Sequence, residues 1–133
     1  MVADNGDIFV SERENNAIRV ITPQGDVHKL CGNGQSGFAD EQGVDARFND
    51  PRGLALDVEE NLLVADWGNN AIRRVTMVGA VSTVTGNGVE GFADGAGAAE
   101  RFNGPNALVV DREGVIVVAD RNNHRLRKIV GGR

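Results

Sequence analysis

The chain has 133 residues, of which 41% are hydrophobic and 5% aromatic, and 14 basic against 19 acidic side chains give it a net charge of −5. This length can bury the core of one domain, and the acidic balance disfavours nucleic acid and anionic membranes as partners, because both require a surplus of Lys and Arg. No apolar run approaches the roughly 20 residues that span a bilayer, and the N-terminus lacks the basic and apolar regions of a signal peptide. The compartment stays open, with a cytoplasmic location expected if the chain is complete.

The predicted elements are short strands separated by turn residues. Residues 1–31 begin at the end of one predicted strand and contain three further predicted strands. Residues 105–130, at the other end of the chain, contain three more. Between them lies a complete set of four apolar runs, and short strands with turn signals every 8–12 residues or so are typical of an all-β fold. The four runs, which we call strands A to D, are residues 53–57, 61–66, 71–76 and 81–85.

One sequence unit recurs every 54 residues. The run Gly-Phe-Ala-Asp at 37–40 returns at 91–94, and Arg-Phe-Asn at 47–49 returns at 101–103. A four-stranded antiparallel sheet with two apolar faces cannot bury both alone, whereas sheets stacked around an axis bury both. The prediction is an all-β chain made of four-stranded antiparallel β-propeller blades. An open β-solenoid is the alternative, but its repeats are typically much shorter.

The repeat divides residues 1–133 into three blades of one partial propeller domain. Blade 1 is expected at 1–31, blade 2 at 51–85 and blade 3 at 105–130, with long connectors at 32–50 and 86–104. Two of these blades are incomplete, and three blades do not close a ring. The chain is therefore expected either to be part of a longer propeller or to form a homodimer that closes a six-bladed ring.

The sequence of each unit resembles an NHL repeat. The resemblance rests on Pro51, GLALD, NLLVAD and GNNAIRRV in the second unit, and on VVD, VIVVAD and NNHRLRKI in the third. It implies a β-propeller, often with six blades, that serves mainly as a platform for binding protein or RNA. Some similar propellers are enzymes, including peptidylglycine amidating lyases and gluconolactonase-like metal-dependent hydrolases.

Several polar and aromatic positions of the repeat are interpreted as structural. The acidic residue that ends each strand B is expected to cap the following turn rather than to join a ring of Ca²⁺ ligands. The arginine of each strand C is expected to reach a carboxylate or carbonyl across a blade interface, and the phenylalanine of each connector to fill a gap between blades. These positions are Asp66 and Asp120, Asn69 and Asn123, Arg73 and Arg127, and Phe48 and Phe102.

No catalytic residue, cofactor or metal ion is predicted from these residues. Two runs fit G-x-G-x-x-G, starting at Gly32 and Gly86, but neither is followed by the long helix that dinucleotide binding requires. His28 and His124 lack the spacing of a zinc site, and the serines lack a positioned histidine. Cys31 is a lone cysteine, so it cannot form an internal disulfide.

The blade edge that carries the turns between strands B and C is the predicted binding face. Both connectors leave from it and return to it, and loops of that length are uncommon unless functional or disordered. The acidic balance of this face disfavours RNA, so a protein is the expected partner. Trp67 is the best contact candidate, with Arg13 and Arg121 at the same repeat position.

The predicted function is a non-catalytic scaffold for protein–protein interaction. The alternative is a fragment of a propeller hydrolase or lyase whose catalytic residues lie outside these 133 residues. The metal ligands of those enzymes cannot be matched residue by residue in this sequence. A shift in melting temperature on adding Ca²⁺ or Zn²⁺ would favour the enzyme over the scaffold.

Overall fold

The backbone forms three antiparallel sheets in the computed structural model, which describes residues 1–86 and 101–129. The strands are β1 (Ile8–Glu12), β2 (Ala17–Ile21), β3 (Val27–Gly32), β4 (Pro51–Leu56), β5 (Leu62–Asp66), β6 (Ala71–Val75), β7 (Val81–Gly86), β8 (Pro105–Val110), β9 (Ile116–Asp120) and β10 (Arg125–Ile129). Blade 1 has the order β1-β2-β3, blade 2 the order β4-β5-β6-β7, and blade 3 the order β10-β9-β8. Neighbouring strands follow one another in sequence, as in an up-and-down blade.

These sheets confirm the predicted all-β blades. Strands A to D of the complete unit correspond to β4 to β7, and β5 is buried along its whole length, as its continuous apolar run predicts. Strand A begins at Pro51, two residues before the predicted start, and the register with β5 shifts between Pro51 and Leu54. Proline is accepted there because the first residue of a strand need not donate a ladder hydrogen bond.

An aspartate closes the turn between strands A and B in blades 2 and 3. One carboxylate oxygen of Asp57 accepts the backbone N–H groups of Glu59 and Asn61, both at 2.9 Å. Asp111 does the same with Glu113 and Val115 at 2.8 and 2.9 Å. Two tight turns of identical chemistry therefore lie on one edge of the blades.

The turns between strands B and C lie on the opposite edge, and those of blades 2 and 3 each contain one turn of 3₁₀ helix. Trp67–Asn69 and Arg121–Asn123 form these segments, and a further 3₁₀ turn lies at Gly43–Asp45 in the first connector. The residue after each B–C helix is left-handed, with φ of 51° at Asn70 and 55° at His124. Within residues 1–86 and 101–129, no helix has the length and apolar character needed to cross a membrane.

The hydrophobic core lies between the sheets rather than within any one of them. One buried cluster joins Ile18 and Cys31 of blade 1 to Val64 and Val75 of blade 2, with Phe48 of the connector among them. A second cluster joins faces of blades 2 and 3 around Phe102. Blade 2 therefore buries both of its faces against neighbouring blades, as the repeat predicted, and blades 1 and 3 bury one face each.

The outermost sheet faces remain open, so the sheets do not close into a ring. Leu126 in β10 is 76% exposed, although Ile72 and Ile18 at the same repeat position are fully buried. Those two isoleucines belong to the clusters described above, each facing the next blade. The trailing face of blade 3 therefore has the composition of an internal interface without a neighbour.

The first connector does not stay at the B–C edge. Its ends lie there, but the backbone N–H of Gly43 donates to the carbonyl of Gly79 at 2.8 Å, and Val81 donates to Glu41 at 3.0 Å. Gly79 lies in the turn between strands C and D, which is at the other edge of blade 2. The connector thus runs along the outer strand and back, and part of its acidic charge lies away from the predicted binding face. Residues 87–100 of the second connector lie outside the described residues.

Candidate functional site

A buried polar cluster at the end of strand B holds the connector against blade 2. One carboxylate oxygen of Asp66 accepts the backbone N–H of Asn49 at 2.9 Å. The other accepts Asn69 Nδ2 and Arg73 Nη1, both at 2.8 Å. The sequence predicted a cap on the following turn, whereas this carboxylate reaches the connector backbone and two side chains.

Arg73 extends the same cluster along the connector. Its guanidinium donates to the carbonyls of Arg47 and Ala39, both at 2.9 Å, and to Asp40 Oδ1 at 2.7 Å. Its Cζ atom lies 5.0 Å from the ring centroid of Phe48, which is a favourable cation–π distance. Because Arg73 is fully buried, it serves as a structural bond between strand C and the connector that precedes its own blade.

Blade 3 repeats this arrangement with the residues 54 positions further on. Asp120 accepts the backbone N–H of Asn103 at 2.8 Å and Asn123 Nδ2 at 2.7 Å. Arg127 Nη1 donates to Asp120 at 3.1 Å and to the carbonyl of Arg101 at 2.9 Å. The Arg127 guanidinium lies 5.0 Å from the ring of Phe102.

The electrostatics of the cluster follow from its burial. Loss of water raises the pKa of Asp66 to about 6, while Arg73 and the hydrogen bonds from Asn49 and Asn69 act in the opposite direction. Burial also raises the pKa of the Cys31 thiol to about 12, so this thiol is uncharged at neutral pH and unsuited to nucleophilic chemistry.

Two asparagines join consecutive blades, and sequence reasoning missed them. Asn16 Oδ1 accepts the backbone N–H of Asp50 at 2.9 Å, and Asn70 Oδ1 accepts that of Gly104 at the same distance. Both acceptors lie in B–C turns, and both donors lie where a connector enters the next blade. Their spacing of 54 residues was a usable signal, but His124 stands at the third position and obscured it.

The three predicted contact residues occupy the B–C turns but differ in exposure. The Arg13 side chain is 56% exposed and forms an ion pair with Asp50 at 3.0 Å, and Arg121 is exposed. Trp67 is half-buried, with the Arg52 guanidinium 4.0 Å from its ring centroid. The structure therefore presents two arginines and an arginine-covered indole on this edge.

An acidic cleft of about 770 Å³ lies beside the B–C turn of blade 1, lined by residues 11–16 with Asn49 and Asp50. Burial acts to raise the pKa of Asp50, but its ion pairs with Arg52 and Arg13 outweigh burial and hold that pKa below its usual value. Among the residues that the structure describes, no group of three or more His, Cys, Asp or Glu side chains is arranged to hold a metal ion.

The blades and their connectors define the class of the protein as an open β-propeller. The NHL repeat model matches residues 48–74 and 102–129, and each match contains one complete Asp-Asn-Arg cluster. This chain belongs to the NHL-repeat family.

Curated relatives are much longer than this chain. It is 43% identical over 65 residues to Protein SUPPRESSOR OF QUENCHING 1, chloroplastic, of Arabidopsis thaliana, covering 47% of this chain and 6% of the relative. It is 30% identical over 132 residues to NHL repeat-containing protein 2 of Gallus gallus, covering 90% of this chain and 18% of the relative. The chain therefore spans a small part of either relative.

Solved structures share the arrangement of blades. A protein of unknown function from Bacteroides thetaiotaomicron is 28% identical with a TM-score of 0.85, covering 92% of this chain and 32% of that one. An auxiliary nutrient binding protein from the same organism is 26% identical with a TM-score of 0.84, covering 92% and 34%.

More distant structures include enzymes and share the fold alone. A streptogramin B lyase is 13% identical with a TM-score of 0.70, covering 98% of this chain and 36% of the lyase. A gluconolactonase from Xanthomonas campestris is 22% identical with a TM-score of 0.61, covering 87% and 31%.

Proposed function

We propose that this chain is a non-catalytic NHL-repeat scaffold that binds a protein through its B–C edge. The observation that carries the proposal is that the B–C turns combine structural positions with one variable position near the surface. The repeated residues Asp66 and Asn69, with Arg73 of strand C, bond to the chain itself. The position directly after the strand-B carboxylate changes from unit to unit. It is occupied by Arg13, Trp67 and Arg121, of which the two arginines are exposed and the tryptophan is half-buried. A constant framework with variable surface residues suits recognition by contact.

The chemistry of these residues favours a protein partner. Trp and Arg are the residues most enriched at the energetic centres of protein interfaces, and the Arg52–Trp67 stack presents both in one place. Nucleic acid is disfavoured because Glu12, Glu14 and Asp50 surround the adjacent cleft. No membrane partner is proposed.

The test compares matched variants on the two edges of the blades. Proteins captured from an extract of the source cells by the immobilised chain are identified by mass spectrometry, and the affinity of the best one is then measured by calorimetry. We expect Trp67→Ala to weaken that affinity by about tenfold or more, as for an interface hot spot. Arg112→Ala, in the A–B turn at the opposite edge, serves as the control and should leave it unchanged. Equal effects of the two substitutions would refute the assignment of the binding edge.

The enzyme alternative has support from likeness of fold alone. It would require metal-binding or catalytic residues from elsewhere in a longer protein. A rise in melting temperature with Ca²⁺ or Zn²⁺ would favour it over the scaffold, and the same titration on the Trp67→Ala variant would separate metal binding from partner binding.

A further inference from the structure

The cluster that holds a connector is present in all three blades but filled in only two of them. Blades 2 and 3 each bind an Arg-Phe-Asn run, at residues 47–49 and 101–103. Blade 1 has Glu12, Asn15 and Arg19 at the corresponding positions, and no described residue fills the place of the run. We call these three side chains, together with the apolar residues beside them in blade 1, the open connector site.

The polar half of the open connector site is already assembled. Arg19 Nε donates to one carboxylate oxygen of Glu12 and Asn15 Nδ2 donates to the other, whereas in the filled sites Nη1 of the arginine and the asparagine share one oxygen. Neither terminal nitrogen of Arg19 has a partner among the described residues, whereas Arg73 uses both of its own. The Arg19 side chain is 36% exposed, against 0% for Arg73 and 5% for Arg127. The terminal N–H groups of Arg19 are thus available to donate to the carbonyls of a connector.

The apolar half is assembled and uncovered. Ile8 and Val10 in β1 are 38% and 37% exposed, and Val27 in β3 is 55% exposed. Their counterparts in blade 2 belong to the buried cluster that contains Phe48, where exposure falls to between 0% and 6%. These blade 2 counterparts are Leu62, Val64 and Val81. An apolar patch bordered by an ion pair is therefore present in blade 1, and it matches the environment that each connector phenylalanine occupies.

We propose that the open connector site binds an extended Arg-Phe-Asn segment, supplied by the connector of an NHL repeat outside these 133 residues. The segment's phenylalanine packs on Val10 beneath the Arg19 guanidinium. Arg19 donates to the carbonyl of the segment's arginine, as Arg73 and Arg127 do. Glu12 accepts the backbone N–H of the segment's asparagine, as Asp66 and Asp120 do.

The chain's own Arg-Phe-Asn runs are not available to this site. Phe48 and Phe102 are both fully buried in blade interfaces, so neither run can leave without opening a core. A second copy of the chain would face the same restriction. The occupant is therefore a separate segment with the same chemistry.

A side chain at Glu14 does not block the proposed segment. In blade 2 the corresponding residue is Gly68, and a Cβ there would lie 2.5 Å from the side chain of Asn49. In blade 3 the corresponding residue is Asn122, which has a Cβ and still donates its backbone N–H to Asn103 at 2.9 Å. The site of blade 1 can adopt the spacing seen in blade 3.

The first experiment titrates the ¹⁵N-labelled chain with a synthetic peptide of residues 43–53, which contains the Arg-Phe-Asn run. We expect shifts confined to β1, β2, the turn between them and the start of β3 at Val27, and about tenfold or more weaker binding when the peptide carries Phe48→Ala. Glu12→Ala in the chain should weaken binding similarly, while Glu59→Ala in the distant A–B turn of blade 2 should not. Shifts scattered over other blades, or equal binding of both peptides, would overturn the proposal.

The second experiment fuses the segment to the chain, which avoids the translational and rotational entropy that a free peptide loses on binding. A copy of residues 33–54 is fused before Met1, which places its run in the register of the repeat. The fusion should melt several degrees higher than the parent chain, and Phe48→Ala within the copy should abolish most of that gain. Equal melting of the two fusions would overturn the proposal.

Sedimentation of the unfused chain tests the source of the segment. We expect no self-association that depends on Glu12. A dimer that Glu12→Ala dissociates would instead assign the site to a second copy, as in a homodimer that closes a six-bladed ring. These readouts do not depend on Trp67, so their failure is separable from failure of the proposed partner-binding function.

Discussion

At the scale of single residues, the buried arginine of strand C is the most demanding feature of this chain. Arg73 is removed entirely from water, and such a charge is tolerated only when it is paired and hydrogen-bonded. Two carboxylates pair with it: Asp66 is fully buried, whereas Asp40 is 43% exposed. The two ion pairs are similar in length but differ in how much solvent screens them.

Removing the buried carboxylate should therefore cost far more than removing the exposed one. Asp66→Ala removes the buried partner of Arg73 and leaves only the half-exposed Asp40 to compensate its charge, so it should lower the free energy of unfolding by about 3–5 kcal/mol. Asp40→Ala should cost no more than about 1 kcal/mol. Urea denaturation of both variants checks this, and comparable losses would contradict the structural role given to Asp66.

Asp50 should make the fold sensitive to acid. Its folded pKa is held below the unfolded value of 3.8 by Arg52 and Arg13, despite burial. The stabilisation is complete above the unfolded pKa and is lost as the pH falls through the lower folded pKa. Unfolding free energies between pH 5 and about 2.5 should fall less steeply for Asp50→Asn than for the parent chain, and parallel curves would count against it.

At the scale of elements, local sequence patterns predicted the strands well and the connector poorly. Apolar runs and turn residues located β4 to β7 within a few residues, because strand and turn preferences are local. The path of the connector depends on contacts such as Gly43 with Gly79, which join residues far apart in sequence and have no local signature. The partner of Asp66 was missed for the same reason, since Asn49 lies 17 positions away.

The end of strand D in blade 1 lies directly against the B–C turn of the same blade, and this close approach gives a prediction at the scale of elements. Gly25 and Gly32 have nearly the same φ, 89° and 87°, but a Cβ at Gly32 would lie 2.3 Å from the carbonyl oxygen of Asn16, while Gly25 has open space. Alanine should cost about 1 kcal/mol at Gly25, from the left-handed backbone alone. At Gly32 it should cost about 2 kcal/mol or more in addition. Equal losses in thermal denaturation would show that the close approach is relieved in solution.

At the scale of the whole molecule, stability depends on contacts between neighbouring blades. The two buried clusters each span one interface, so the three sheets form a short one-dimensional array. In such an array, a residue at a given repeat position contributes less to the free energy of unfolding in an end blade than in the middle blade. The sequence revealed the repeat, but the structure was needed to show which copies of each position are covered.

Position 72 and its counterpart 126 test this directly. Ile72→Ala should lower the free energy of unfolding by about 2–5 kcal/mol, because it leaves a cavity in the interface of blades 2 and 3. Leu126→Ala, at the 76% exposed end, should change it by no more than about 0.5 kcal/mol. A large cost at Leu126 in denaturant titrations would mean that the trailing face is covered in solution.

The many bonds of the first connector make its covalent continuity dispensable once the chain has folded. Residues before its exposed tip are fastened to blade 2 through Arg73 and Gly79, and residues after it through Phe48 and Asp66. A single protease cut after Val44, which is 59% exposed, should therefore yield two fragments that elute together from a sizing column and separate only in denaturant. We therefore expect the blades to keep their arrangement although the chain between them is cut.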